Sequence, residues 1–127
     1  MIAGIGTDIV AVARIEAAMA RHGAAFAHKI LSANELAEFA HAAHAARFLA
    51  KRFAAKEAFA KATGRGLRHP VTLHNMTVSH DELGKPLFVF DATLKQYLDE
   101  LNISHHHLSI SDERDTAVAF VILERKS

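Results

Sequence analysis

Two acids stand where acids are costly. Asp8 lies in the apolar run Ile2 to Val10, and a carboxylate in a buried strand must be paired, hydrogen-bonded or metal-bound to stay charged. It could cap a helix that begins nearby. Gly4 and Gly6, on the same face if the strand alternates, suggest instead bare backbone that a ligand could approach. Glu57 lies in the run Ala43 to Thr63, whose helical wheel divides charge into two sectors, Arg52 with Lys56 and Arg47, Lys51, Glu57 with Lys61. Glu57 and Lys61, at i and i+4, are at the least an exposed ion pair of about 0.3 kcal/mol. A surface helix needs only one charged sector, so one of the two is expected to face a cleft or a partner. Two carboxylates among Lys and Arg suit magnesium, which takes one or two carboxylates and completes its shell with water and phosphate oxygens.

The elements that must hold these residues follow from periodicity and punctuation. Ile2 to Val10 predicts a strand, Val12 to His22 a helix stopped by Gly23, and Ala24 to Ile30 a shorter helix. Arg14 and Arg21, seven apart, share a face of the first helix. Ser32-Ala33-Asn34-Glu35 is a capping-box pattern that opens another helix. The Ala43 to Thr63 run contains neither Gly nor Pro, and Gly64 follows where a left-handed cap belongs. Leu73 to Ser79 and Leu87 to Phe90 predict strands around the turn Asp81 to Pro86; Thr93 to Leu101 predicts a helix; His106 to Ser111 and Thr116 to Leu123 predict a terminal hairpin. Helices and strands mix without a βαβ repeat, so the expected class is α+β with a mostly antiparallel sheet against a long central helix, a single domain over residues 1–127.

Composition removes several chemistries. Without cysteine there is no disulfide framework, thiol nucleophile or cysteine-ligated zinc, and no G-x-S-x-G elbow or Walker loop is present. No apolar run approaches the roughly 20 residues of a membrane-spanning helix, and no basic leader precedes the first apolar stretch, so a cytoplasmic protein without a membrane partner is expected. The net charge of +1 conceals polarity: Arg14 to Arg68 holds ten Lys or Arg against four Glu, and the rest holds five against ten acids. A basic nucleic-acid module would account for that segment but for neither Asp8 nor Glu57, and no nucleic-acid partner is expected. Ten histidines, with His41 and His44 at i, i+3 and the run His105-His106-His107, suggest a His-rich metalloprotein but carry no recognisable zinc spacing.

Gly4-Ile5-Gly6-Thr7-Asp8-Ile9 and Arg52-Phe53-Ala54-Ala55-Lys56-Glu57-Ala58-Phe59-Ala60-Lys61-Ala62 resemble the two signatures of holo-acyl-carrier-protein synthases. Arg47-Phe48-Leu49-Ala50-Lys51, Gly64-Arg65-Gly66, Leu83-Gly84-Lys85-Pro86 and the length extend the resemblance over essentially the whole chain. It implies magnesium-dependent transfer of 4′-phosphopantetheine from coenzyme A to a serine of an apo acyl carrier protein, releasing adenosine 3′,5′-bisphosphate. Asp8 and Glu57 would then be magnesium ligands, Lys61 would hold the reacting phosphate, and Arg47, Arg52, Gly64, Pro86 and His107 would contact coenzyme A. The resemblance further implies a homotrimer with sites between subunits. Because carrier proteins are strongly acidic, Arg14 and Arg21 are expected to dock them, away from the coenzyme A residues. One departure stands out: Ser109-Ile110-Ser111 is followed by Asp112, where many relatives carry a histidine.

Overall fold

The computed structural model describes residues 1–126. Ten elements follow in order: β1 (Ile2–Ala11), α1 (Val12–His22), α2 (Ala24–Ile30), α3 (Ala33–Phe39), α4 (Ala45–Thr63), β2 (Met76–His80), β3 (Pro86–Phe90), α5 (Ala92–Glu100), β4 (Ile103–Asp112) and β5 (Thr116–Arg125). β1, β5 and β4 form an antiparallel sheet in that order, and β2 pairs with β3 as a hairpin. This is the α+β arrangement expected from the sequence. α4 lies across one face of the three-stranded sheet, where Ala54, Ala55, Ala58, Val10, Ala119 and Val121 are buried.

The approach of α4 to β1 is close because both surfaces are nearly bare. A Cβ on Gly4 would fall 1.9 Å from the Ala62 carbonyl oxygen, and one on Gly6 would fall 2.0 Å from that of Ala58. The space expected for a ligand is therefore filled by helix backbone; these glycines admit α4 rather than a substrate.

Local signals account for most boundaries. Gly64 takes φ 76° and ends α4, and Asp91 Oδ1 accepts from the Leu94 amide to start α5. The Asp81 carboxylate accepts from the Leu83 and Lys85 amides and shapes the β2–β3 turn. β2 begins at Met76 rather than Leu73, because the Leu73 carbonyl turns inward to accept from Lys56 Nζ at 2.8 Å.

That contact belongs to a buried polar centre. Glu35 closes the capping box by accepting from the Ser32 amide through Oε1, and its side chain is then wholly enclosed. Oε1 also accepts from Lys56 Nζ, while Oε2 accepts from Arg52 Nη1 and the Val78 amide. Lys56 Nζ completes its three donations at the Ile30 and Leu73 carbonyls. Burial alone would raise the Glu35 pKa, but the Lys56 charge, its hydrogen bond and the two amides hold it below the ordinary value. Burial pulls Lys56 the other way, toward the neutral amine. Four donors on the carboxylate and three acceptors on the amine decide in favour of the charged pair.

The Arg52 and Lys56 sector of α4 faces neither cleft nor partner; it turns inward to acids on α3, with Arg52 Nη2 also bonding Glu38 at 3.0 Å. The Arg52 and Lys56 sector is thus satisfied within one chain and gives no argument for a subunit interface.

Candidate active site

Asp8 caps no helix. The N-cap of α1 is Ala11, and the Asp8 carboxylate instead accepts from Lys61 Nζ at 2.9 Å. Lys61 Nζ also donates to the Thr7 carbonyl at 3.1 Å, so one amine ties α4 to β1 while its side chain stays 55% exposed. Glu57, one turn earlier on α4, joins the same cluster through its field. Its pKa is raised, first by burial and then by the Asp8 charge, with Lys61 and Arg14 opposing. The structure thus gathers Asp8, Glu57, Lys61 and Arg14 at the crossing of β1 and α4. The charge of Arg14 reaches Glu57, whereas Arg21, at the exposed end of α1, forms no ion pair among the described residues.

The donor set is that of a hard, partly hydrated cation. Two carboxylates share one locality, and their mutual repulsion favours either a proton or a cation between them. Among the described residues no three His, Cys, Asp or Glu side chains group as a metal site, so a closed tetrahedral zinc centre has no counterpart here. Within the run His105-His106-His107 the rings do not converge: His107 bonds Glu124, and His106 Nε2 accepts from the Phe88 amide at 3.0 Å. That bond fixes His106 as the neutral Nδ1–H tautomer, in keeping with a pKa lowered by burial and by its two histidine neighbours.

The remaining sequence-singled residues are spread over the chain. Gly64 ends α4, Pro86 opens β3, and His107 lies on the outward face of β4. Arg52 is 5% exposed, with three of its donors engaged and its guanidinium 4.4 Å from the Phe48 ring centroid. A contact from Arg52 to any ligand would have to use what that network leaves over.

Arg47 is placed differently. It lines a cavity of about 290 Å³ with Val12, Glu16, His44, Ala46 and Arg114, at the start of α4. Its Nε is shut off from solvent and has no hydrogen-bond partner. His44, Glu16 and Arg114 carried no sequence signal that would have joined them to Arg47; they meet because the Val12 amide bonds the Asp115 carbonyl at 2.8 Å, drawing the β4–β5 turn against the start of α1. Another cavity, about 370 Å³, lies elsewhere, between Phe88, Phe90, Leu98, Ile103 and His106; of the residues singled out from the sequence it is lined only by His105 and His106.

With this geometry in view, the pattern of the 4′-phosphopantetheinyl transferase superfamily matches residues 4–121. The chain belongs to that superfamily. It is 57% identical over 124 residues to a holo-[acyl-carrier-protein] synthase of Laribacter hongkongensis, covering 98% of this chain and 99% of that one. The crystal structure of the Neisseria meningitidis holo-[acyl-carrier-protein] synthase superposes with a TM-score of 0.96 at 51% identity, covering 98% of this chain and 100% of that one. That of Bacillus anthracis, in complex with CoA (3′,5′-ADP), gives 0.83 at 35%, with 99% of each chain covered. Within the superfamily, this chain is therefore an enzyme of the holo-[acyl-carrier-protein] synthase type.

Proposed function

We propose that the enzyme transfers 4′-phosphopantetheine from coenzyme A to a serine of apo acyl carrier protein with magnesium, releasing adenosine 3′,5′-bisphosphate and supplying holo carrier for fatty acid biosynthesis in the cytoplasm. The observation that carries this is the Asp8, Glu57 and Lys61 cluster, built on the two stretches that resemble the family signatures.

The serine Oγ attacks the phosphorus next to pantetheine, the pyrophosphate P–O bond breaks, and the adenosine bisphosphate leaves with the bridging oxygen. Glu57, directly or through a water held beside it, would accept the serine proton. Lys61 is exposed enough to turn its amine from Asp8 to a phosphate oxygen and neutralise charge as the P–O bond breaks. Magnesium held by Asp8 and Glu57 would supply Lewis-acid stabilisation of the pyrophosphate. Arg47, whose guanidinium is partly exposed beside a cavity, supplies a phosphate contact; Gly64, Pro86, His107 and the free donors of Arg52 complete the coenzyme A set implied by the family.

The active form is proposed to be a homotrimer with sites between subunits. In support, the sheet face away from α4 is uncovered: Ile5, Ile9 and Phe120 are 68%, 68% and 50% exposed, and Ile122 and Val118 stand beside them in register. An apolar strip of this kind marks an interaction surface. The test of function is direct: incubation with coenzyme A, magnesium and an apo carrier protein adds one phosphopantetheine mass to the carrier, and absence of the adduct across magnesium and pH conditions overturns the proposal.

A further inference from the structure

The last residue of β4 is a carboxylate set among cations. Asp112 Oδ2 lies 4.0 Å from Arg47 Nε and Oδ1 lies 3.8 Å from Lys51 Nζ, close enough for attraction but beyond hydrogen-bond distance. Arg47 Nε, which this carboxylate approaches without bonding, is closed to solvent and unpartnered. The cavity beside it is lined by a second arginine, Arg114, by His44 and by Glu16, and α4 starts there without a side-chain cap on its first amides. Three cations, Arg47, Lys51 and Arg114, thus stand around Asp112 and this cavity, and of the two acids Asp112 and Glu16 only Asp112 is within 4.0 Å of a cation.

We propose that Asp112 is a built-in counter-anion, which occupies Arg47 and Lys51 in the free enzyme and competes with a phosphate of coenzyme A for them. This rests on the reading of Arg47 as a coenzyme A contact. A phosphate that reaches the partly exposed Arg47 guanidinium comes within a few ångströms of the Asp112 charge, and at such a partly exposed site that repulsion amounts to about a fivefold loss of affinity. Asp112 is too far from either cation to fix its geometry by hydrogen bonding, so its charge outweighs any positioning it provides. The carboxylate therefore keeps the bisphosphate product from being held as tightly as three cations would hold it, and acts as a specificity and release residue for the anionic substrate.

The test compares Asp112→Asn with Arg47→Gln in the full chain. Calorimetry gives the Kd of adenosine 3′,5′-bisphosphate, steady-state kinetics give KM for coenzyme A and for carrier protein, and thermal melts report folding. Asp112→Asn should tighten the bisphosphate and lower KM for coenzyme A by about fivefold, move the carrier KM less than twofold, and lose most of its effect at high salt. Arg47→Gln should weaken both coenzyme A measures. If Arg47→Gln weakens binding while Asp112→Asn leaves it unchanged or weaker, the counter-anion role is overturned and the Arg47 reading stands. If Arg47→Gln leaves coenzyme A binding untouched in a folded protein, the Arg47 reading falls and the inference falls with it.

Discussion

Replacing Lys56 by Met should destabilise the protein more than any change at its surface. The side chain is fully buried; its ammonium serves Glu35, the Ile30 carbonyl and the Leu73 carbonyl, and Met keeps the approximate volume while removing all three bonds. What remains is a buried carboxylate relying on Arg52 and two amides, together with two carbonyls that have lost a donor. Breaking one side of a buried pair costs about 3–5 kcal/mol, a large share of a typical total of about 5–15. For a chain of this size the melting temperature should fall by roughly 10–20 °C. The acid limb should move too. Glu35 is more acidic folded than its ordinary 4.5, so its contribution is present above that value and is lost as pH falls through the lower folded pKa. Without Lys56 the folded pKa rises and the loss begins at higher pH. The Glu35→Gln, Lys56→Met double variant should recover at least about 1 kcal/mol relative to the sum of the singles, because neither charge is then left alone. Urea titrations at fixed protomer concentration, followed by circular dichroism, measure all three terms. A Lys56→Met loss under about 1 kcal/mol, or strict additivity in the cycle, would refute the idea of a tightly coupled buried pair.

Asp8→Asn and Glu57→Gln should each lower transfer at least about a hundredfold yet hold or raise the melting temperature without metal, since each relieves the repulsion that raises the Glu57 pKa; near-parental turnover at millimolar magnesium would remove that residue from the site. Light scattering should give three times the protomer mass, and Phe120→Asp, placing a charge in the uncovered apolar strip, should dissociate the assembly and abolish activity together; a fully active monomer refutes both trimer and shared site. Arg21→Glu should raise KM for carrier protein several-fold and leave that for coenzyme A in place, an effect that fades with salt; Arg14→Glu should do more, lowering kcat as well, because its charge acts on Glu57. Equal behaviour of the two variants would contradict that distinction.

Element types were legible because each was signalled locally: the capping box at Ser32, the left-handed cap at Gly64, the Asp-Glu-Leu-Gly-Lys-Pro turn after β2. The partnership of residues distant along the chain was not. Nothing at Glu35 announces that Lys56, 21 positions later, will point at it, and a helical wheel displays Arg52 and Lys56 as surface charge whether or not an acid covers them. Asp8 was singled out for a sound reason, an acid in an apolar strand, but its glycine neighbours were credited with the wrong guest. That the charge of Arg14 acts on Glu57 was equally hidden, since a face on a wheel says nothing about which other element it meets.

The closeness of β1 and α4 is what turns those separate signals into a site. Gly4, Gly6 and Asp8 follow one another on one strand face, and the first two positions lie under the carbonyls of Ala62 and Ala58. With no side chain beneath it, the helix descends until Lys61 Nζ reaches both the Thr7 carbonyl and Asp8. Asp8, the next position on that face, keeps its side chain 17% exposed, enough to meet a ligand yet sheltered enough for its charge to act on Glu57. A larger residue at Gly6 would lift α4 and separate the two carboxylates, although it would touch neither. The bare strand and the charged pair are consequently one device: the glycines set the spacing, and the spacing gives two acids a shared, partly desolvated position in which a cation or a transferred proton is stabilised.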